Sequence, residues 1–183
     1  RSIEIRNVTI IVNGIADQIL EQQSFSDRIF TLSERSRLYM RNMTLQNGYR
    51  NGDHHVGGGG LISVHSHSSL YLENVTLQNS IADLHGGALS VRNYSFVSLQ
   101  DCQILNTSSS SGNGGGVYVE DNCVASFDSV TISHNNAYEN GGGFFAKGNS
   151  SIYITSSVFR NNAAYQGNGG AIMLMDTSIS QIN

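Results

Sequence analysis

The chain has 183 residues, a formal net charge of −4, and only 13% charged residues. It has no basic run, which excludes an electrostatic footprint for nucleic acid or an anionic membrane surface, and no stretch apolar enough to span a bilayer. Proline is absent, as expected where most residues lie in or beside strands that donate every backbone N–H.

Residues 1–37 predict an irregular first coil. Ile3 to Ile10 alternates apolar and polar residues like later paired strands, no Gly-Gly corner follows, and Ile29-Phe30-Thr31-Leu32 supplies a third strand. From 38 to 183 the coils are regular. Leu38, Leu70, Val97, Ala125 and Ile152 each open an alternating run, and Gly58, Gly86, Gly114, Gly141 and Gly169 each begin a Gly-Gly motif 27 or 28 residues after the last. Leu70 to Phe96 serves as the reference unit. Leu70, Leu72, Val75 and Leu77 alternate with polar residues on either side of Asn74, a loop passes through Ile81-Ala82-Asp83, and Leu89 and Val91 follow Gly86-Gly87. Period-two alternation makes these strands.

A fixed period of this size means one supersecondary unit stacked on copies of itself. The predicted fold is therefore all-β: a right-handed parallel β-helix of about six coils, each with three strands, in a single segment over 1–183. Right-handedness is the default for parallel crossovers. The pattern is already running at Ile3 and still running at Ile179, so the segment is expected to be part of a longer chain.

The inward rows are Leu72, Leu99, Phe127 and Ile154; Leu77, Ile104, Ile132 and Phe159; and Leu89, Val117, Phe144 and Ile172. Asn47, Asn79, Asn106 and Asn161, with His134, occupy one corner, and Asn113, Asn140 and Asn168, with His85, another. Stacked amides at such corners form hydrogen-bonded ladders.

With Gly86-Gly87-Ala88-Leu89, Gly169-Gly170-Ala171-Ile172 and Phe159-Arg160-Asn161-Asn162 in view, the chain resembles the repeats of chlamydial polymorphic outer-membrane proteins, marked by GGA[ILV] and FxxN. The three Gly-Gly-Gly motifs, Ile132 to Asn135 and Ile10 to Asn13 are looser copies. The resemblance implies a surface-displayed β-helix used in adhesion, hence an extracellular or cell-surface location.

Asn7, Asn42, Asn74, Asn93, Asn106 and Asn149 each begin an Asn-x-Ser/Thr sequon. Asn7, Asn42 and Asn74 fall at one corner of successive coils, too close for all to carry glycans, which leaves Asn93, Asn106 and Asn149 as freer candidates. Cys102 and Cys123 are expected as two buried thiols at different corners, beyond disulfide reach. Asp53-His54-His55, His65, His67 and His85 are spread over two corners, include no cysteine and lack ligand-like spacing except for His65-x-His67, so no metal or cofactor is expected.

Outward Glu73 and Asp128 stand two coils apart with Gln100 between them, no workable acid/base pair. Ile62, Tyr118, Phe145 and Met173 form an outward apolar row with Ser90, a candidate interface for a protein partner or for self-assembly through an exposed sheet face. The expected function is a non-catalytic extracellular structural or adhesive β-helix, part of a surface protein, stalk or filament. The alternatives are a carbohydrate-active enzyme, or a glycan-binding module using Tyr39, Tyr71 and Tyr153.

Overall fold

Alternating apolar and polar residues build strands along the whole chain, and each pairs in parallel with its counterpart one coil away. The computed structural model describes residues 2–22, 27–51, 58–176 and 179–182. It is a parallel β-solenoid of about six turns in two sheets. One sheet stacks seven short strands in chain order: Ile3–Arg6, Phe30–Ser33, Ile62–Val64, Leu89–Val91, Val117–Val119, Phe144–Ala146 and Ile172–Leu174. The other, of thirteen strands, wraps each coil around its corners. No helix among the described residues is long and apolar enough to cross a membrane.

Left-handed residues make the corners, singly at the first two and in consecutive pairs such as Asn93 and Tyr94 at the third. Asn42, Asn74, Asp101, Ser129 and Ser156 occupy the first, with φ between 51° and 57°. Asn47, Asn79, Asn106, His134 and Asn161 occupy the second, as the spacing predicts. Short polar side chains tolerate this conformation best. The corner also resets the alternation: Glu73 and Asn74 are both exposed, and Val75 points inward again.

Between the second corner and the glycines, the expected loop contains a further short strand. Ile81 pairs with Tyr49 and Ser108, Ser108 with Asn136, and Asn136 with Ala163.

All three inward rows lie in register as expected. Each fully buried Leu, Ile, Val or Phe contributes roughly 1.5–3 kcal/mol. Phe127 meets Phe144 edge-on, with ring centroids 5.4 Å apart, which ties the rows of the two sheets together.

Asn135 is wholly buried. Its Oδ1 accepts from the Thr107 amide and hydroxyl, both at 2.9 Å, and its Nδ2 donates to Ile104 O and Asn162 Oδ1. Asn162 in turn donates to Ile132 O at 2.9 Å. Where earlier coils have no asparagine at this position, the Ser80 and Thr107 hydroxyls donate to Gly87 O and Gly115 O at 2.8 and 2.7 Å. The FxxN asparagine thus satisfies backbone groups that the corner leaves inside the coil, where an unmet partner is costly.

Two expected alignments are corrected. Ile3–Arg6 pairs with Phe30–Ser33, so it belongs to the seven-stranded sheet, while Thr9–Asn13 and Gln18–Glu21 pair with Arg37–Arg41 and Met43–Gln46. The first coil is irregular because Gly14-Ile15-Ala16-Asp17 stands at its first corner where the next coil has Asn42 alone. The first glycine motif also slips by one residue. Gly59, at φ +71, aligns with Gly86, and Ile62 pairs with Leu89.

Candidate functional site

That slip removes Ile62 from the outward apolar row: it faces the core and is fully buried. The actual outward row of the seven-stranded sheet is Thr31, Ser63, Ser90, Tyr118, Phe145 and Met173. It is not an open face. Tyr118 is 1% exposed and Phe145 2%, and Met173 is half-buried.

The glycine corners fold over the sheet. A Cβ on Gly141 would stand 2.8 Å from Phe145 Cβ, and one on Gly169 2.9 Å from Met173 Cβ. The expected interface of Ile62, Tyr118, Phe145 and Met173 is therefore corrected. The chain's own loop segments cover it.

A charged cluster surrounds Tyr118. The His85 ring stacks on it at 4.4 Å, Phe145 follows at 5.5 Å, and the Arg92 guanidinium lies 5.4 Å from its centroid. Its hydroxyl donates to Glu120 Oε2 at 2.8 Å, while Lys147 Nζ sits 2.8 Å from Glu120 Oε1 and Arg92 Nε 3.9 Å from Oε2. Burial, reinforced by Glu120, pushes the Tyr118 phenol well above its ordinary range. Burial works against ionisation of Glu120, but the hydrogen bonds of Lys147 and Tyr118 hold its carboxyl below the usual value. Burial and then Arg92 lower His85 to about 4. Its Nδ1 accepts from the Asn113 amide at 3.0 Å, which requires that nitrogen to be unprotonated. Tyr118, Glu120 and Lys147 satisfy one another, so the cluster braces the sheet's outer face.

The outward rows of the larger sheet run in the expected register: Arg41, Glu73, Gln100, Asp128, Thr155, and Tyr39, Tyr71, Ser98, Ser126, Tyr153. Glu73 is paired with Arg41 at 2.9 Å, with Gln100 between it and Asp128. Tyr39 and Tyr71 stack on each other at 4.4 Å, and Phe96 packs at 5.3 Å against Tyr71. Two of the three tyrosines expected as sugar platforms thus turn ring faces to each other, beside a shallow groove of about 180 Å³.

All six sequon asparagines are exposed and left-handed. Asn74 Nδ2 donates to Asn42 Oδ1 at 2.9 Å, as the shared corner implies. Asn7 does not share that corner. It lies near Glu34, Arg35, Ser66 and His67 at the third corner, where Asn93 and Asn149 also fall.

Cys102 and Cys123 are free, buried thiols, as expected. Asp53-His54-His55 lies outside the described residues. His67 stacks on Tyr94 at 5.3 Å. Among the described residues no three His, Cys, Asp or Glu side chains are grouped to hold a metal ion.

Sequence reasoning missed two tyrosines. Tyr138 and Tyr165, 47% and 67% exposed, stand on adjacent coils at the end of the short additional strand. They flank a depression lined by Ser108, Ser110 and Asn136. Their 27-residue spacing was a signal available in the sequence.

Residues 156–174 match the model of the Chlamydia polymorphic membrane protein repeat. The matched stretch runs from the Ser156 corner to the strand Ile172–Leu174 and contains both Phe159-x-x-Asn162 and Gly169-Gly170-Ala171-Ile172. No curated protein and no solved structure matches the chain. Repeat and architecture agree: the chain is a parallel β-solenoid, and its stretch 156–174 is similar to the polymorphic-membrane-protein repeat.

Proposed function

We propose that this solenoid is a non-catalytic segment of a cell-surface protein, a stiff rod that carries or contributes an adhesive surface. The observation that carries the reading is the use of polar side chains as coil-to-coil ties. Asn140 bonds to Asn113 Oδ1 through its amide and its Nδ2, and the Asn168 amide bonds to Asn140 Oδ1 at 2.8 Å. Gln78 bonds to Gln46, and Asn74 to Asn42. Such ties add nearest-neighbour terms between coils, on which a repeat protein's rigidity depends. The repeat match supports display at a surface. Against catalysis stand the Arg41–Glu73 pairing and the Glu120 cluster, in which each carboxylate is engaged by a partner within the fold rather than held open toward a substrate.

Antibody to the segment should label unpermeabilised cells of the source organism. Labelling only after permeabilisation would overturn the surface reading. Purified protein should turn over none of a panel of neutral and anionic polysaccharides, and an activity lost in Glu73→Gln/Asp128→Asn would overturn the non-catalytic one.

A further inference from the structure

One strip of the surface leaves part of its polar lining open, although His134 and Asn161 bond to each other at 3.0 Å and Asp83 accepts from the Tyr49 hydroxyl. The short additional strand of each coil presents three outward rows: Asn79, Asn106, His134 and Asn161; Ile81, Ser108, Asn136 and Ala163; and Asp83, Ser110, Tyr138 and Tyr165. The middle row shortens from Ile81 to Ser108, Asn136 and Ala163, so it forms the floor of a trough between the other two.

The trough consists of two depressions of about 400 and 330 Å³ that lie side by side across the strand, share Ser108 and Asn136, and each span three coils along the solenoid axis. Amides and His134 line the first, and hydroxyls with the Tyr138 and Tyr165 rings line the second.

Elsewhere the outward amides tie one coil to the next. Here, among the described residues, the side chains of Asn106, Ser108, Ser110 and Asn136 have no hydrogen-bond partner. No carboxylate, amine or guanidinium lines either depression.

We infer that this trough binds a linear, uncharged polysaccharide segment. The lining is uncharged and argues against the rivals: a phosphate, sulfate or uronate would meet no Lys or Arg, and the carboxylate of the flanking rows, Asp83, accepts from the Tyr49 hydroxyl and lines neither depression. Amides and hydroxyls both donate and accept, as a run of sugar hydroxyls requires. Exposed tyrosine rings offer an apolar face to the C–H side of a pyranose and a hydroxyl at the tip. The lining repeats once per coil, roughly every 4.8 Å, close to the advance of one sugar along an extended chain. A straight trough suits a linear chain and not a branched glycan. The inference deepens the adhesive reading and rests on it for biological setting only, because binding by the purified chain is measured without reference to location.

The test uses the 183-residue chain made without N-glycans, since Asn106 lines the trough and begins a sequon. Linear neutral hexasaccharides of glucose, mannose, xylose and N-acetylglucosamine are titrated by calorimetry and by amide NMR, beside oligogalacturonate, a heparin hexasaccharide and a branched N-glycan. At least one neutral linear probe should bind and shift the amides of Asn106, Ser108 and Asn136. Tyr138→Ala/Tyr165→Ala should weaken that probe at least tenfold at an unchanged melting temperature. If the double variant melts lower, saturation transfer from the Tyr138 and Tyr165 ring protons to the sugar in the wild-type protein decides instead. No neutral probe binding at millimolar concentration, binding that survives the double variant or shows no transfer from these rings, or preference for an anionic or branched probe would each overturn the inference.

Discussion

His85 stands where later coils have asparagine, and this substitution should make the solenoid sensitive to acid. In the ladder, Asn113 Oδ1 accepts from the Asn140 amide at 3.0 Å and Asn140 Oδ1 from the Asn168 amide at 2.8 Å. His85 fills the same role with Nδ1, accepting from the Asn113 amide at 3.0 Å. Burial, then Arg92, lowers its folded-state pKa from 6.5 to about 4. Between those values the unfolded chain binds a proton that the folded chain does not. The contribution is therefore fully present above about pH 6.5 and lost as pH falls towards 4. At about 1.36 kcal/mol per pKa unit, the ceiling is roughly 3 kcal/mol, less in so far as solvent reaches the half-buried ring. His85→Asn should keep the ladder, since its Oδ1 can accept the same bond, and lose the stack on Tyr118, worth about 1 kcal/mol at neutral pH. Urea unfolding of both proteins from about pH 7 to 4 should show wild type losing roughly 2–3 kcal/mol relative to the variant. Carboxylates common to both cancel in that difference. Parallel pH profiles would refute the reasoning.

Phe144→Asp places a carboxylate against Val117, Ile172 and Phe127 and should cost several kcal/mol, seen as lost β signal or a sharply lower melting point by circular dichroism. Asn135→Leu leaves the Thr107 amide and Ile104 carbonyl without their partner and should cost about 2–6 kcal/mol by thermal melting, at 1–3 kcal/mol for each unmet buried group. Cys102 and Cys123 should resist an aromatic disulfide reagent near pH 8 until the protein unfolds, because burial pushes their thiols up to about 11 and 12.

The inward rows were legible because period-two alternation and a fixed repeat place each residue on both face and rung. Leu72, Leu99, Phe127 and Ile154 needed no further information. The one-residue slip at Ile62 arose where the sequence is uninformative. Gly57 to Gly60 are all glycine, so the motif alone cannot say which of them turns the corner, and only the match of Ile62-Ser63-Val64 to Leu89-Ser90-Val91 fixes the register. The first coil held an overlooked signal of the same kind. Ile5-Arg6-Asn7 copies Val91-Arg92-Asn93, and the structure stacks Ile5, Leu32, Val64 and Val91 in one row.

Outward faces are a different problem, because alternation says which way a side chain points and not what lies above it. Tyr118 and Phe145 point outward as read, but the same coil's glycine corner returns across them, and the glycine period marks where the corner falls without saying which face it covers. The physical distinction between the two outward faces is hydrogen-bond satisfaction. Under the covered face, Tyr118, Glu120 and Lys147 satisfy one another, as buried polar groups must. Along the trough, solvent meets that requirement for Asn106, Ser108 and Asn136, and the solenoid gains no coil-to-coil tie from them. A surface that must recognise something outside the chain needs such groups open. On that criterion the short strand that sequence reading took for a loop, rather than the conspicuous aromatic row, is where this solenoid meets a ligand.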